Sequence, residues 1–248
     1  ILGLGGSATN DGGLGMAQAL GIRFLDADGK EVVPGGEGLA QVAAIDASGR
    51  DKRLDNVFLR LACDVTNPLC GADGASHVFG GQKGADEAMR AELDASMAHY
   101  AAMICKETGQ DFTNTKGAGA AGGLSIPLLA FWQAEVASGI ELVLDLLQID
   151  SALQQADLVI TGEGRLDGQT LFGKAPVGVA KRAKLYQKPV IALTGSIGDG
   201  YRDVYGGGID AVFSVQNGPM SLAESMAKTE ELLEDCAHRV MRLYAIGR

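Results

Sequence analysis

At 248 residues the chain has room for one large α/β domain or two smaller ones, each with a core of its own. A formal net charge of −10 argues against nucleic acid and anionic membrane as partners, since both need broad basic surfaces, but it leaves a small anionic substrate compatible with a few local cations. No apolar run reaches the length of a membrane span and no signal-peptide pattern opens the chain, so the expected protein is cytoplasmic, with no membrane partner and with a homo-oligomer left open.

The four cysteines, Cys63, Cys70, Cys105 and Cys236, contain no CxxC pair and lie in apolar or helical settings, which favours reduced, buried thiols over metal ligands or disulfides. His77, His99 and His238 show no zinc-binding spacing. A metal, if used, is expected to be a hard ion held by oxygen ligands.

Residues 1–21, ILGLGGSATNDGGLGMAQALG, combine glycines with Ser7, Thr9 and Asn10, so backbone N–H groups can converge on an anion. Asn10 or Asp11 can cap a short helix that Gly21 ends. Gly3 to Ala8 satisfies GxGxxA, and Asp26 stands near the distance of a ribose-binding acid, which raises an NAD-linked oxidoreductase as one reading. Against it, the helical pattern starts only at Asp11, and Asp28-Gly29 marks a hairpin turn where a parallel unit needs its second strand to continue.

A strand at about 57–63 runs into Asp64, and Asn67-Pro68 breaks it before a loop rich in Gly, Asn and Asp. A carboxylate at the carboxyl end of a strand suits metal binding or proton acceptance, and equally a turn acid bonding local amides. Lys83 supplies either a cation for an anionic ligand or a solvated side chain at a helix start. Residues 86–108 form an amphipathic helix with Met89, Leu93, Met97, Tyr100 and Ile104 on one stripe, stopped by Gly109. The small-residue run TKGAGAAGG suits close backbone packing or close approach to a ligand. Residues 131–147 read as buried throughout, and Asp150 can cap a short helix.

The last hundred residues alternate apolar strands at 158–161, 190–194 and 211–215 with helical patterns at 175–186, about 201–206 and 221–244, the last opened by a Ser221/Glu224 capping box. This alternation implies a parallel sheet whose loops open onto one rim. The first of those loops, residues 162–173, carries Glu163 and Asp167 and leads to Gly173 and Lys174 ahead of a helix start, a set that suits magnesium and phosphate oxygens but also a solvated turn. Gly168 to Lys174 matches GxxxxGK, yet Ala175 stands where a P-loop needs a hydroxyl, so a P-loop fold is not expected.

Five segments, GGSATNDGG, CDVTNPLCGADGA, VFGGQKGA, GAGAAGG and TGEGRLDGQTLFGKAPVGVA, occur in this order across nearly the whole chain and closely resemble the type I glycerate kinases, the glycerate 2-kinase family. The GLGGSA string alone also resembles the phosphate loop of the galactokinase and homoserine kinase superfamily, which nothing else in the chain follows. The glycerate kinase resemblance implies two α/β domains. Residues 1–150 would be an inserted α/β domain carrying the Gly-rich loops, and residues 151–248 the C-terminal part of a Rossmann-like parallel-sheet domain. Family members open with a DSFKGS segment, and Ile1-Leu2-Gly3 reads like the end of a strand already under way, so the chain reads as N-terminally truncated. Gly81 departs from the family, which usually has Pro before Gln-Lys-Gly.

The resemblance implies ATP-dependent phosphorylation of D-glycerate with Mg2+, at the 2-hydroxyl. Chemical inference then distributes roles: Asp64, Asp167 and Lys174 catalytic; Gly5, Gly6, Ser7, Lys83, Gly162 and Gly164 on the nucleotide; Asn10, Asp11, Asn67 and Arg165 on the substrate; Glu163 and Asp167 on the metal. Asp64 and Asp167 could exchange roles. A binding protein that has lost transfer is the competing reading.

Overall fold

The computed structural model describes residues 1–171 and 174–247, which form two compact units, Ile1–Gly139 and Ile140–Arg248. The division falls before the change of pattern at residue 150, for a reason visible in unit 2.

In unit 1 three short strands pair in parallel in the order β1 (Leu2–Gly3), β4 (Arg60–Ala62), β5 (Glu135–Ala137). A second ladder pairs β2 (Arg23–Leu25) antiparallel with β3 (Ala44–Asp46). The helices are α1 (Leu14–Ala19), α2 (Gly36–Leu39), α3 (Ala75–Phe79), α4 (Glu87–Thr108) and α5 (Ser125–Trp132). Helix α4 starts where Asp86 accepts the Met89 N–H at 2.8 Å and ends at Gly109, whose φ of 76° no β-carbon residue holds cheaply. Its stripe is shorter than the periodicity predicts. Met97, Tyr100 and Ile104 are fully buried, but Met89 is about half exposed because the first turns of α4 overhang the core. Phe24 meets Tyr100 at 5.6 Å between ring centroids, tying the β2–β3 ladder to α4 within one apolar cluster.

The Rossmann-like string at the N-terminus does not build a dinucleotide loop. Ten residues of loop separate β1 from α1, and the Asp26 carboxylate accepts the Asp28 and Lys30 N–H groups, both at 2.9 Å, inside the expected turn at Gly29.

In unit 2 three parallel strands, β6 (Val159–Leu166), β7 (Val190–Ile197) and β8 (Ala211–Ser214), pair in sequence order. Helix α6 (Gly139–Leu146) and α7 (Ile149–Gln155) precede them, α8 (Ala175–Lys184) crosses from β6 to β7, and α9 (Leu222–Ala227) and α10 (Thr229–Ile246) close the chain. The reason the division precedes residue 150 is Arg182 on α8. Its guanidinium donates to both Asp150 oxygens at 2.6 Å and to Asp145 at 3.0 Å, fastening α6 and α7 to this unit. Asp150 therefore lies inside the first turn of α7 and binds Arg182, whereas the sequence suggested a cap. That hydrogen bond holds the Asp150 carboxyl below the usual carboxylate range.

Four further expectations are corrected. Residues 131–147 are not buried throughout: Val143, Leu146 and Leu147 are exposed, because the segment is the end of α5, a short strand and the amphipathic α6 rather than one core element. The helical pattern at 221–244 is two helices broken at Lys228, although the Ser221/Glu224 capping box forms in both directions, at 3.0 and 3.3 Å. The pattern at 201–206 is a 3-10 turn, Tyr201–Gly207. Strand β6 is the edge of its described sheet, which leaves Ile160 about half exposed although it reads as buried in the sequence.

The side chains of α8 pack one apolar cluster and those of α10 another, with Val190 and Ala192 in the first and Leu193 in the second, so β7 is covered on both faces. All four cysteines are unpaired. Burial pushes the thiols of Cys63, Cys70 and Cys236 up, Cys70 to about 12.

Asp210, just before β8, accepts from Lys184 Nζ at 2.5 Å and from the Val190 N–H at 2.7 Å. Burial, the largest influence, pushes its carboxyl upward, but these donors together hold it below its ordinary value. A depressed carboxyl contributes stability above its unfolded value and loses it as the pH falls. Thermal melts should therefore show Asp210→Asn less stable than the parent at neutral pH by about 0.2–1 kcal/mol, with the gap closing below about pH 4.

Candidate functional site

The carboxyl end of β6 holds a cluster of four charges within unit 2. Glu163 and Arg165 stand inside the strand, because β6 continues to Leu166 where the sequence suggested a loop from residue 162. The extension is a matter of close approach: Gly162 lies against the Leu193 backbone and Gly195 against Gly164, so two ladders of small residues let β6 and β7 pair as far as Ile197. Asp167 follows the strand, Gly168–Leu171 makes a 3-10 turn, and Lys174 is the N-cap residue of α8, with Pro176 setting the first turn. Gly173 lies outside the described residues.

Lys174 Nζ stands 3.5 Å from Glu163 Oε2 and 4.0 Å from Asp167 Oδ1, while Arg165 Nε stands 3.4 Å from Asp167 Oδ2. The two carboxylates are mostly buried, at 18% and 22% exposure, and converge on one cationic position. Among the described residues no three of His, Cys, Asp and Glu gather as a metal site. Two hard carboxylates nonetheless fit magnesium, which characteristically takes one or two protein carboxylates and fills its remaining positions with water and substrate phosphates.

Thr170 is the residue that sequence reasoning missed. Its side chain is fully buried, its hydroxyl donates to Glu163 Oε1 at 2.5 Å, and the same oxygen accepts the Asp167 N–H at 3.2 Å. One hydroxyl thus orients one acid and fastens the backbone of the other. No local pattern flags it, since a threonine between Gln169 and Leu171 looks like any turn residue.

Unit 1 holds a separate cavity of about 210 Å³, lined on its polar side by Gly5, Gly6, Ser7, Gln82 and Lys83. Lys83 Nζ donates to Ser7 Oγ at 3.0 Å and to Thr9 O at 2.6 Å, and it makes no ion pair among the described residues. Burial lowers the pKa of this ammonium, and the nearby Asp11 charge works in the opposite direction.

The remaining sequence candidates lie in unit 1. Asp11 accepts the N–H groups of Gly13 and Gly15, at 3.0 and 3.2 Å, and so starts α1. Asn67 Nδ2 donates to Asp73 O, holding the turn after Pro68. Asn10 Nδ2 donates to Ser76 Oγ, while its buried Oδ1 accepts no hydrogen bond among the described residues. Asp64 is exposed at the carboxyl end of β4, and its Oδ1 accepts the Gly139 N–H at 2.8 Å.

The GAGAAGG run is packing. A β-carbon on Gly119 or Gly122 would collide with the carbonyl of Pro68 or Thr9, and Gly12 N–H donates to Gly122 O at 2.9 Å. The run clamps the N-terminal glycine loop in place, and Ala120 and Ala121 complete the cavity wall.

A profile described as the glycerate kinase family matches residues 1–245. The chain belongs to the glycerate kinase family. It is 52% identical to a glycerate kinase of Bacillus subtilis over 97% of this chain, and 49% identical to the glycerate 2-kinase of Escherichia coli over 100% of this chain. It spans 63% of the first relative and 65% of the second. A crystal structure of a candidate glycerate kinase 2 from Salmonella typhimurium LT2 matches with a TM-score of 0.82 at 47% identity, covering 98% of this chain and 63% of that one. The glycerate kinase family thus accounts for both units and for the mixed α/β fold with parallel sheets.

Replacing Thr170 by Val removes the hydroxyl while keeping the shape, leaving Glu163 Oε1 and the Asp167 N–H without their partner. Calorimetric unfolding should show a loss of about 1–3 kcal/mol for Thr170→Val and less than about 1 kcal/mol for Thr170→Ser. A loss in Thr170→Ser with none in Thr170→Val would assign the effect to the methyl group instead.

Proposed function

We propose that the chain takes part in ATP-dependent phosphorylation of D-glycerate at the 2-hydroxyl, giving 2-phosphoglycerate and ADP. The observation that carries this reading is the Glu163–Lys174–Asp167 cluster at the carboxyl end of β6, found in a member of the glycerate kinase family. Open α/β sheets bind ligands beyond the carboxyl ends of their strands, and phosphoryl transfer asks a protein mainly for charge stabilisation and in-line positioning. The relative named glycerate 2-kinase supports the 2-position.

Within unit 2, Glu163 and Asp167 would hold a magnesium ion, which would supply charge neutralisation for the transferring phosphoryl group. Lys174 meets phosphate oxygens from the start of α8, where backbone N–H groups already favour an anion. Gly162 and Gly164 keep the strand free of side chains beside Glu163, and Arg165 sets the orientation of Asp167 and meets substrate from the exposed end of the cluster. Within unit 1, Asp64 keeps one carboxylate oxygen beyond the one bound to Gly139, and that oxygen accepts the hydroxyl proton. Gly5, Gly6, Ser7 and Lys83 bind an anionic group, and Asn10 offers its unpartnered oxygen to a substrate hydroxyl. Asp11 and Asn67 act on substrate only through the loops they hold.

Incubation with D-glycerate, ATP and magnesium, followed by phosphorus NMR, should show the 2-phospho isomer. Asp64→Asn and Asp167→Asn should each lower turnover by about 10²–10⁴-fold with the secondary structure retained by circular dichroism, although Asp167→Asn also weakens its ion pairs to Lys174 and Arg165. Near-parental rates in both variants would overturn the roles. Glycerate binding without ADP release would overturn the reaction in favour of a binding protein, and a nicotinamide-dependent absorbance change would favour an oxidoreductase.

A further inference from the structure

We infer that the cavity of unit 1 seats the carboxylate of the small organic acid, a monoanion, and not a nucleotide phosphate. The inference deepens the proposed reaction and rests on it for the identity of the acid.

Size is the first argument. The cavity of about 210 Å³ lies below the roughly 300–1,000 Å³ of pockets that enclose drug-sized ligands such as nucleosides. It holds a group of a few heavy atoms and not a nucleoside, and the choice between carboxylate and phosphate rests on charge.

Charge is the second. Lys83 is the one cation in the lining, and no acid joins it there. A single ammonium neutralises a single carboxylate but leaves most of a triphosphate uncompensated. Its Nζ has three donors, of which Ser7 Oγ and Thr9 O take two. The N–H groups of Gly5, Gly6 and Ser7 donate no hydrogen bond among the described residues, so three consecutive amides remain available beside that cation. Gly6, at φ 64°, supplies the left-handed turn that such a nest of amides requires.

The remaining wall is the third. Val65, Phe79, Ala120 and Ala121 are apolar and suit the C–H faces of a short carbon chain, while Gln82 offers a polar group for a hydroxyl. A polyphosphate would leave that apolar wall unused.

The test uses the whole chain and two variants with different failure modes. Lys83→Met removes the charge. Gly5→Val fills the cavity: a β-carbon on Gly5 meets no atom within 4 Å and its φ is not positive, so the fold should tolerate it. In both, the KM for glycerate should rise about 10–100-fold while the KM for ATP stays within about twofold. Calorimetry on the parent should show glycerate binding without nucleotide, weakened in both variants and not displaced by equimolar inorganic phosphate. A rise in the ATP KM with an unchanged glycerate KM would overturn the inference, as would displacement of glycerate by phosphate. The two readings fail separately. Lys83-dependent glycerate binding with no phosphoglycerate formed would leave the carboxylate seat standing and sink the reaction, whereas turnover with both variants acting on ATP would do the reverse.

Discussion

The arrangement in unit 2 depends on one hydroxyl. Thr170, fully buried, shares its oxygen between the Glu163 carboxylate and the Asp167 N–H, so the two acids keep one spacing. Without that tie, two carboxylates four residues apart would repel each other and turn outward to water. With it they face a common cation, which Lys174 supplies in the described state. The formal charges balance, two against two: Glu163 and Asp167 against Lys174 and Arg165. The two carboxylates are mostly buried while Lys174 and Arg165 reach out to solvent, so the cluster presents buried acids behind exposed cations.

Much of the fold was legible because its signals are periodic. The stripe along α4, the capping box at Ser221 and Glu224, and the alternation of strands and helices after residue 156 each repeat over enough residues to outweigh local noise. What escaped were boundaries and edges. Strand β6 runs five residues further than its apolar segment, to Leu166, because pairing with β7 depends on glycine-to-backbone approach and not on hydrophobicity. Ile160 reads as core and is half exposed because nothing in one strand's composition states whether it lies at an edge.

The candidate site divides in the same way. Residue type and loop position pointed to Glu163, Asp167 and Lys174, which the structure brings together, and to Lys83 with Ser7, which it also brings together. The same reasoning pointed to Asp11, both of whose carboxylate oxygens accept local N–H groups, and to Asn67, whose Nδ2 donates to Asp73 O. A polar side chain in a glycine-rich loop has two uses, and only its hydrogen-bond partners separate them. Thr170 shows the converse, a residue of ordinary type whose importance comes from three-dimensional neighbours.

The glycines at 117, 119, 122 and 123 press their backbones against neighbouring chain with no room for a methyl group. A systematic substitution survey would therefore score this run as intolerant as the charged cluster on β6, though it offers no chemistry of its own. Sensitivity to replacement would here measure tightness of fit, and only a readout that separates abundance from specific activity would tell the two regions apart.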